Sequence, residues 1–170
     1  ILNFAALKSN CSPNARPPAK PLVYTGKTPR GGAHTLEAAM SDLVSASGKP
    51  VKIPGPDHPI TLTRHPTRVV VRAGGQTLAD SRHALILQEA SYPPVFYFPR
   101  EDVNMALLQK NEHVSYCPYK GDCSYFSLAL NGEQEANVAW SYEMPYNAVV
   151  AIKDHLAFYS DKVAEIRAEA

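Results

Sequence analysis

The chain has 170 residues, enough for one domain of ordinary size that buries a core without disulfides or metals. Its 17 Lys and Arg nearly balance 16 Asp and Glu, and the excess of bases lies in residues 1–39, which hold five bases and one acid. The remaining body is slightly acidic, which argues against nucleic acid as a partner, because nucleic-acid surfaces need clustered Lys and Arg. No apolar run approaches the length of a membrane span, so no membrane partner is expected either.

The three cysteines are an odd number without a CxxC pair, which argues against a secreted disulfide framework and a zinc ribbon. The start of the chain lacks the pattern of a secretory signal. The simplest expectation is a cytoplasmic protein.

Residues 1–50 are rich in proline and have no sustained hydrophobic period, so we expect a mostly disordered N-terminal extension. Met40 is a candidate native start, which would make residues 1–39 an upstream extension. A single domain is expected over residues 51–165, followed by a tail at 166–170.

From residue 60 the sequence takes on the rhythm of short strands separated by turn residues. Gly74–Gly75 and Asn131–Gly132 are typical of tight hairpin turns. The pattern predicts eight strands, at residues 60–63, 68–73, 76–80, 84–89, 94–98, 113–117, 124–130 and 137–142.

Two helices are predicted between and after these strands. The segment 99–109 begins with Pro and two acids, which favour a helix N-terminus. The segment 146–159 places Val149, Ile152 and Leu156 at helical spacing, so a C-terminal helix should cover the sheet. The predicted fold class is α+β, mainly β, with about eight short and mostly antiparallel strands.

The stretch YCPYKGDCSYF predicts a tight turn between two antiparallel strands, with Tyr119 and Lys120 at its tip. The turn would bring Cys117 and Cys123 toward facing positions. A Lys ammonium beside a thiol favours the nucleophilic thiolate, so Cys117 and Lys120 are candidate catalytic residues. A half-buried structural cysteine beside a solvated lysine, or a disulfide between the two cysteines, remains an open alternative.

Aromatic residues of several predicted strands are candidates for the wall of a ligand cleft. Trp140 and Tyr142 are two residues apart and share a face, and Tyr97 and Tyr125 come from other strands. Such residues also form ordinary cores, and that alternative stays open.

Charged residues at strand ends supply candidate anion readers, namely Asp80, Arg82 and Arg100. Surface ion pairing is the alternative role for them. The six histidines are scattered without the spacing of a helical metal site, so no metal and no cofactor are predicted.

The segments KIPGPDHPI, ADSRHAL, YPPVFYFPREDVNM, CPYKGDCSYFS, AWSYEMP and HLAFYSDKV together resemble a bacterial family, the domain of unknown function 427, which also carries a nucleotidyltransferase-like label. The resemblance covers residues 52–163. It implies a fold similar to the β-tent of methionine sulfoxide reductase B and of the thalidomide-binding domain of cereblon, as a barrel or a folded sheet. Those proteins hold zinc through cysteine pairs that this chain lacks, so no structural zinc is expected.

The resemblance also marks a candidate site, made of Asp80, Arg82, Tyr97, Arg100, Cys117, Tyr119, Lys120, Tyr125, Trp140 and Tyr142. The family pattern has a small residue in place of Cys123, which leaves Cys117 as the family-like thiol. Nucleotidyl transfer gains little support from the residues, because the acid pair Glu101–Asp102 diverges on a helix.

The function expected first is the binding of a small anionic or aromatic ligand in a cleft walled by Tyr125, Trp140 and Tyr142. Arg82 and Arg100 would read an anion, and Lys120 or Cys117 would lie at the mouth. The alternatives are a thiol enzyme with Cys117 as nucleophile, a nucleotidyltransferase-like enzyme, and a structural or protein-binding module. Homo-oligomer formation is left open.

Overall fold

The computed structural model describes residue 45, residues 48–130 and residues 132–169. The expected N-terminal extension and Met40 lie outside these residues, apart from positions 45 and 48–50. The described residues form ten strands: β1 (Ile60–Arg64), β2 (Arg68–Ala73), β3 (Gln76–Ser81), β4 (Leu85–Glu89), β5 (Val95–Pro99), β6 (Leu108–Cys117), β7 (Gly121–Leu130), β8 (Glu133–Ser141), β9 (His155–Phe158) and β10 (Glu165–Glu169).

The strands form two antiparallel sheets. The large sheet has the order β1-β4-β5-β9-β8-β7-β6, and the small sheet has the order β10-β2-β3. Because β1 and β6 are edges of the large sheet, it is not a closed barrel. The fold is therefore mainly β, and the antiparallel strands expected from the sequence are confirmed.

The two predicted α-helices are wrong. Residues 99–109 contain two 3₁₀ turns, Arg100–Asp102 and Met105–Leu107, and β6 begins at Leu108. The turns stay separate because Val103 is extended and forms a bridge with Ala79 of β3. Tertiary strand pairing thus overrides the local preference of this segment for a helix.

In the second segment, a 3₁₀ stretch covers Asn147–Ile152 and bends at Val149, and β9 follows it. Asp154 has a φ of 58°, which ends the helical path before Leu156. Val149, Ile152 and Leu156 are all buried, so the spacing did mark core positions. Leu156, however, reaches the core by pairing with Phe98 of β5. No helix of the described residues is long and apolar enough to cross a membrane.

The hairpin at Gly74–Gly75 is as predicted. Ala73 pairs with Gln76 across the two glycines, whose φ angles are 54° and 76°. Both central residues of such a two-residue turn need a positive φ, which glycine adopts at little cost. β7 and β8 are likewise joined across two residues, because Leu130 pairs with Glu133.

Alternating residues of the large sheet serve two different cores. The first, which we call the inter-sheet core, contains residues of both sheets, among them Val69, Val71, Leu78, Phe98, Phe126, Leu128, Leu156 and Phe158. The second, which we call the aromatic core, contains Leu87, Tyr97, Cys123, Tyr125, Trp140, Tyr142, Val149, Ile152 and Ala157. Successive side chains of a strand point to opposite faces, so Tyr97 and Phe98 enter different cores.

The last strand, β10, includes residues expected to form a tail. It pairs with β2 over its whole length, from Glu165 opposite Arg72 to Glu169 opposite Arg68. Arg68 also forms salt bridges with Glu169 and with Asp80 of β3. The small sheet therefore has a charged outer face over the three strands.

Candidate functional site

Both neighbours of β7 bulge where they pass Phe126. Lys110 pairs with Phe126 and Val114 with Ser124, so β6 advances four residues where β7 advances only two. On the other side, Ala139 pairs with Phe126 and Glu135 with Leu128, so β8 also covers four residues where β7 covers two. Bulges re-aim side chains and are frequent beside active sites, which makes this part of the sheet the first candidate site.

An amide bridge joins the two bulges across β7. Asn111 Nδ2 donates hydrogen bonds to Ser127 Oγ at 2.7 Å and to Asn137 Oδ1 at 2.8 Å. The backbone N–H of His113 donates to Asn111 Oδ1 at 3.0 Å, so both ends of the Asn111 amide have partners. Asn137 has a φ of 54°, a left-handed conformation that asparagine tolerates better than most residues.

The four aromatic residues predicted for the site converge in the aromatic core, and all four are buried: Tyr97, Tyr125, Trp140 and Tyr142. Tyr125 and Trp140 are direct partners on β7 and β8. The indole Nε1–H of Trp140 donates to the hydroxyl of Tyr97 at 3.3 Å. The hydroxyl of Tyr125 lies 2.8 Å from that of Ser115 on β6, so the polar ends of Tyr97, Tyr125 and Trp140 all have partners.

Two partly accessible rings border this cluster. The imidazole of His113, which is exposed, lies 4.4 Å from the ring of Tyr125 between centroids. The ring of Tyr159, which is half-buried, lies 4.6 Å from that of Trp140. We call His113, Tyr125, Trp140 and Tyr159 the aromatic shelf.

The amide bridge lies beside the aromatic shelf. Ser127 is two residues from Tyr125 on β7, so both side chains point to the same face. Val138, next to Asn137, accepts a backbone hydrogen bond from Tyr159 at 2.9 Å. Donors and acceptors thus border a group of rings that contact one another at tilted angles, which is the composition of a small-molecule site.

Sequence reasoning did not find Asn111, His113, Asn137 or Tyr159. An Asn within a strand is unfavourable and was the one available signal at Asn137. The position of the bulges depends on the pairing of distant strands, which simple alternation does not encode.

A buried ion pair forms the second notable feature. Lys120 is 5% exposed and its Nζ lies 2.5 Å from a carboxylate oxygen of Glu89, which is 8% exposed. The other oxygen of Glu89 lies 3.0 Å from His58 Nε2, and the His58 ring stacks on Tyr119 at 4.1 Å. Burial alone would raise the pKa of Glu89, but the charge and hydrogen bond of Lys120, with His58, hold it below its usual range.

This ion pair corrects the prediction for the β6–β7 turn. Lys120 is not displayed at the tip of the turn but is buried, with its Nζ 6.0 Å from the centre of the Tyr142 ring. The turn belongs to the β6 end of the large sheet, whereas Glu89 ends β4, which is next to the other edge strand. The ion pair therefore links the two ends of the large sheet.

The thiol of Cys117 does not have the lowered pKa that a neighbouring lysine suggested. The side chain is half-buried, and burial raises its pKa more than the charge of Lys120 lowers it. In addition, the positive charge of Lys120 is paired with the carboxylate of Glu89. Cys117 pairs with Gly121 and Cys123 with Ser115, so the two cysteines do not face each other, and no disulfide joins them.

Cys117 is therefore expected to react with iodoacetamide near neutral pH more slowly than glutathione does, because only the thiolate is nucleophilic. Peptide mapping by mass spectrometry after timed labelling measures the rate at each cysteine. Cys123, which is buried, is the internal comparison and should be slower still, and urea should raise both rates to that of glutathione. Labelling of folded Cys117 at least as fast as glutathione would contradict the raised pKa.

The charged candidates lie away from the aromatic shelf. Asp80 is on the outer face of the small sheet, where Arg68 forms two hydrogen bonds with its carboxylate and holds its pKa below the usual range. Arg82 is exposed in the turn after β3. The guanidinium of Arg100 lies 5.4 Å from the ring centre of Phe126 and 3.6 Å from Glu143, and Phe126 faces the inter-sheet core.

Among the described residues, no group of three or more His, Cys, Asp or Glu is arranged to hold a metal ion. A comparison with protein families gives one match, to a model described as a domain of unknown function (DUF427), over residues 61–169. The matched region runs from the second residue of β1 to the last residue of β10. No curated protein matches the chain.

Proposed function

Because the chain belongs to the DUF427 family of domains of unknown function, as its motifs predicted, we propose its function from its own site: it binds a small, flat aromatic ligand at the aromatic shelf. The nucleotidyltransferase label is part of the name of the family model and supports no activity.

The observation that carries this proposal is the pair of bulges around β7. They carry His113 onto the border of the aromatic core and place two amides beside it. Regular pairing of β6 and β8 would maintain the ladder hydrogen bonds, so the bulges are a local cost to the sheet. A binding site for rings with polar edges gives these features a common role.

The distribution of charge favours an aromatic ligand over an anionic one. Arg82 and Arg100 lie elsewhere, and Lys120 already has a buried carboxylate as its partner. Cys117, with its raised pKa, supports ligand binding rather than thiol catalysis. We place this activity in a reducing cytoplasm, which fits the absence of a disulfide between Cys117 and Cys123, and we propose no nucleic-acid partner.

The test uses the single tryptophan of the chain, since ¹⁵N-labelled protein gives one indole N–H signal, from Trp140. Adenine, uracil, indole and benzoate are titrated separately into the protein. We expect at least one probe to shift the Trp140 signal in a saturable way. Replacement His113→Ala removes one stacking surface and should weaken that binding about tenfold.

His83→Ala is the matched control, because His83 is an exposed histidine next to Asp102 and away from the shelf. It should bind the probe as the unmodified protein does. If none of the four probes shifts the Trp140 signal at millimolar concentration, the aromatic shelf is not a binding site.

A further inference from the structure

The amide of Asn137 has a fixed orientation. Asn111 Oδ1 accepts a hydrogen bond from the His113 backbone, so its Nδ2 must be the group that faces Asn137. Asn137 therefore offers Oδ1 to Asn111, which leaves its own Nδ2 on the other side of the amide. Within the described part of the chain, no group accepts a hydrogen bond from this Nδ2.

The backbone holds this donor in place. The bulge of β8 is fixed on both sides of Asn137, by the hydrogen bond from Tyr159 to Val138 and by one from Lys162 Nζ to the Ala136 carbonyl. Asn137 keeps a left-handed φ, which costs free energy in any residue except glycine. A half-buried donor with no acceptor among the described residues thus lies on a strained residue, next in sequence to Val138, whose carbonyl accepts from Tyr159.

We propose that the ligand of the aromatic shelf is a nitrogen heterocycle of the nucleobase kind, which accepts a hydrogen bond from Asn137 Nδ2. This inference rests on the proposed function and specifies its ligand class. A ring stacked on the shelf turns its edge toward the amide bridge, and a ring nitrogen or carbonyl oxygen at that edge satisfies the donor. Stacking combined with a side-chain amide at the ring edge is a general way in which proteins read bases.

Adenine, uracil and indole separate this class from other flat rings. Adenine and uracil carry acceptors at the ring edge, whereas indole offers a donor but no acceptor nitrogen or oxygen. We expect adenine or uracil to bind about tenfold more tightly than indole. Adenosine and uridine, titrated in parallel, tell whether the base is taken free or as its nucleoside.

The decisive variant is Asn137→Asp. An aspartate oxygen still accepts from Asn111 Nδ2 and aspartate also tolerates a positive φ, so the bridge remains. The outward donor, however, becomes an acceptor. We expect the affinity for adenine and uracil to fall about tenfold, while that for indole stays unchanged.

Asn137→Gly is the second variant, because glycine adopts the same φ without strain and removes the side chain altogether. It should lose the preference for adenine and uracil over indole while its thermal unfolding stays cooperative. Binding of indole as tight as that of adenine and uracil, or base affinities unaffected by Asn137→Asp, would overturn the inference and leave the shelf as a site for other rings. If none of the probes shifted the Trp140 signal, the proposed function itself would be contradicted.

Discussion

Replacement of Lys120 by methionine is expected to lower the free energy of unfolding by about 3–5 kcal/mol, because it leaves the buried carboxylate of Glu89 without its main partner. Of the partners that the structure describes for this carboxylate, His58 is then the one that remains. Chemical denaturation in urea measures the loss. It should exceed the loss caused by removing almost any exposed charge.

Lys49→Met is the matched control for Lys120→Met. Lys49 forms an ion pair with Asp122, but both side chains are largely exposed, so its replacement should cost less than about 1 kcal/mol. The double variant E89Q/K120M removes both charges and should recover much of the stability. Equal losses of unfolding free energy for Lys49→Met and Lys120→Met would show that the buried ion pair stabilises the fold no more than an exposed one.

The same pair predicts the response to acid. The pKa of Glu89 is lower in the folded protein than in the unfolded chain, so its stabilising effect is present above the ordinary carboxyl range and is lost as the pH falls through the folded pKa. The difference in stability between the unmodified protein and Glu89→Gln should therefore shrink on acidification. Urea unfolding at a series of pH values follows this difference.

Phe98→Ala is expected to destabilise the protein by about 3–5 kcal/mol, since it leaves a cavity between the two sheets. The side chain of Phe98 is fully buried and its ring packs edge-on against Phe158 at 5.7 Å. Thermal and urea unfolding measure the effect.

Phe98→Leu keeps most of the volume and serves as the control, with an expected loss of about 1–2 kcal/mol. Because Phe98 faces the inter-sheet core, neither variant should change the binding of rings at the aromatic shelf under conditions where it is folded. A loss below 1 kcal/mol for Phe98→Ala would mean that this ring does not hold the sheets together.

The strands were largely predictable because their alternation is local. All eight predicted strands exist, and the bounds of β2 agree in full. β9 has only four residues, and the apolar positions around it also fit a helix. β10 presents mostly charged residues because only one of its faces meets the inter-sheet core, through Ile166.

The site was only partly predictable for a related reason. The spacing of Trp140 and Tyr142 predicts that they share a face, and in the structure they pack in one cluster with Tyr97 and Tyr125. A lysine in a tight turn is ordinarily solvated, and the burial of Lys120 depends on Glu89, which lies 31 positions away. Contacts of this kind arise from the folded path of the chain and leave no local pattern.

The position of β10 in the small sheet bears on how the protein is made. β2 emerges from the ribosome well before the strand that covers its free edge, because that strand lies about a hundred positions further on, where Glu169 meets Arg68. Until then the run Val69–Val71 belongs to an unprotected edge strand, a known risk for aggregation. Arg68 and Arg72 flank that run, and flanking charges of this kind oppose the association of exposed apolar strands.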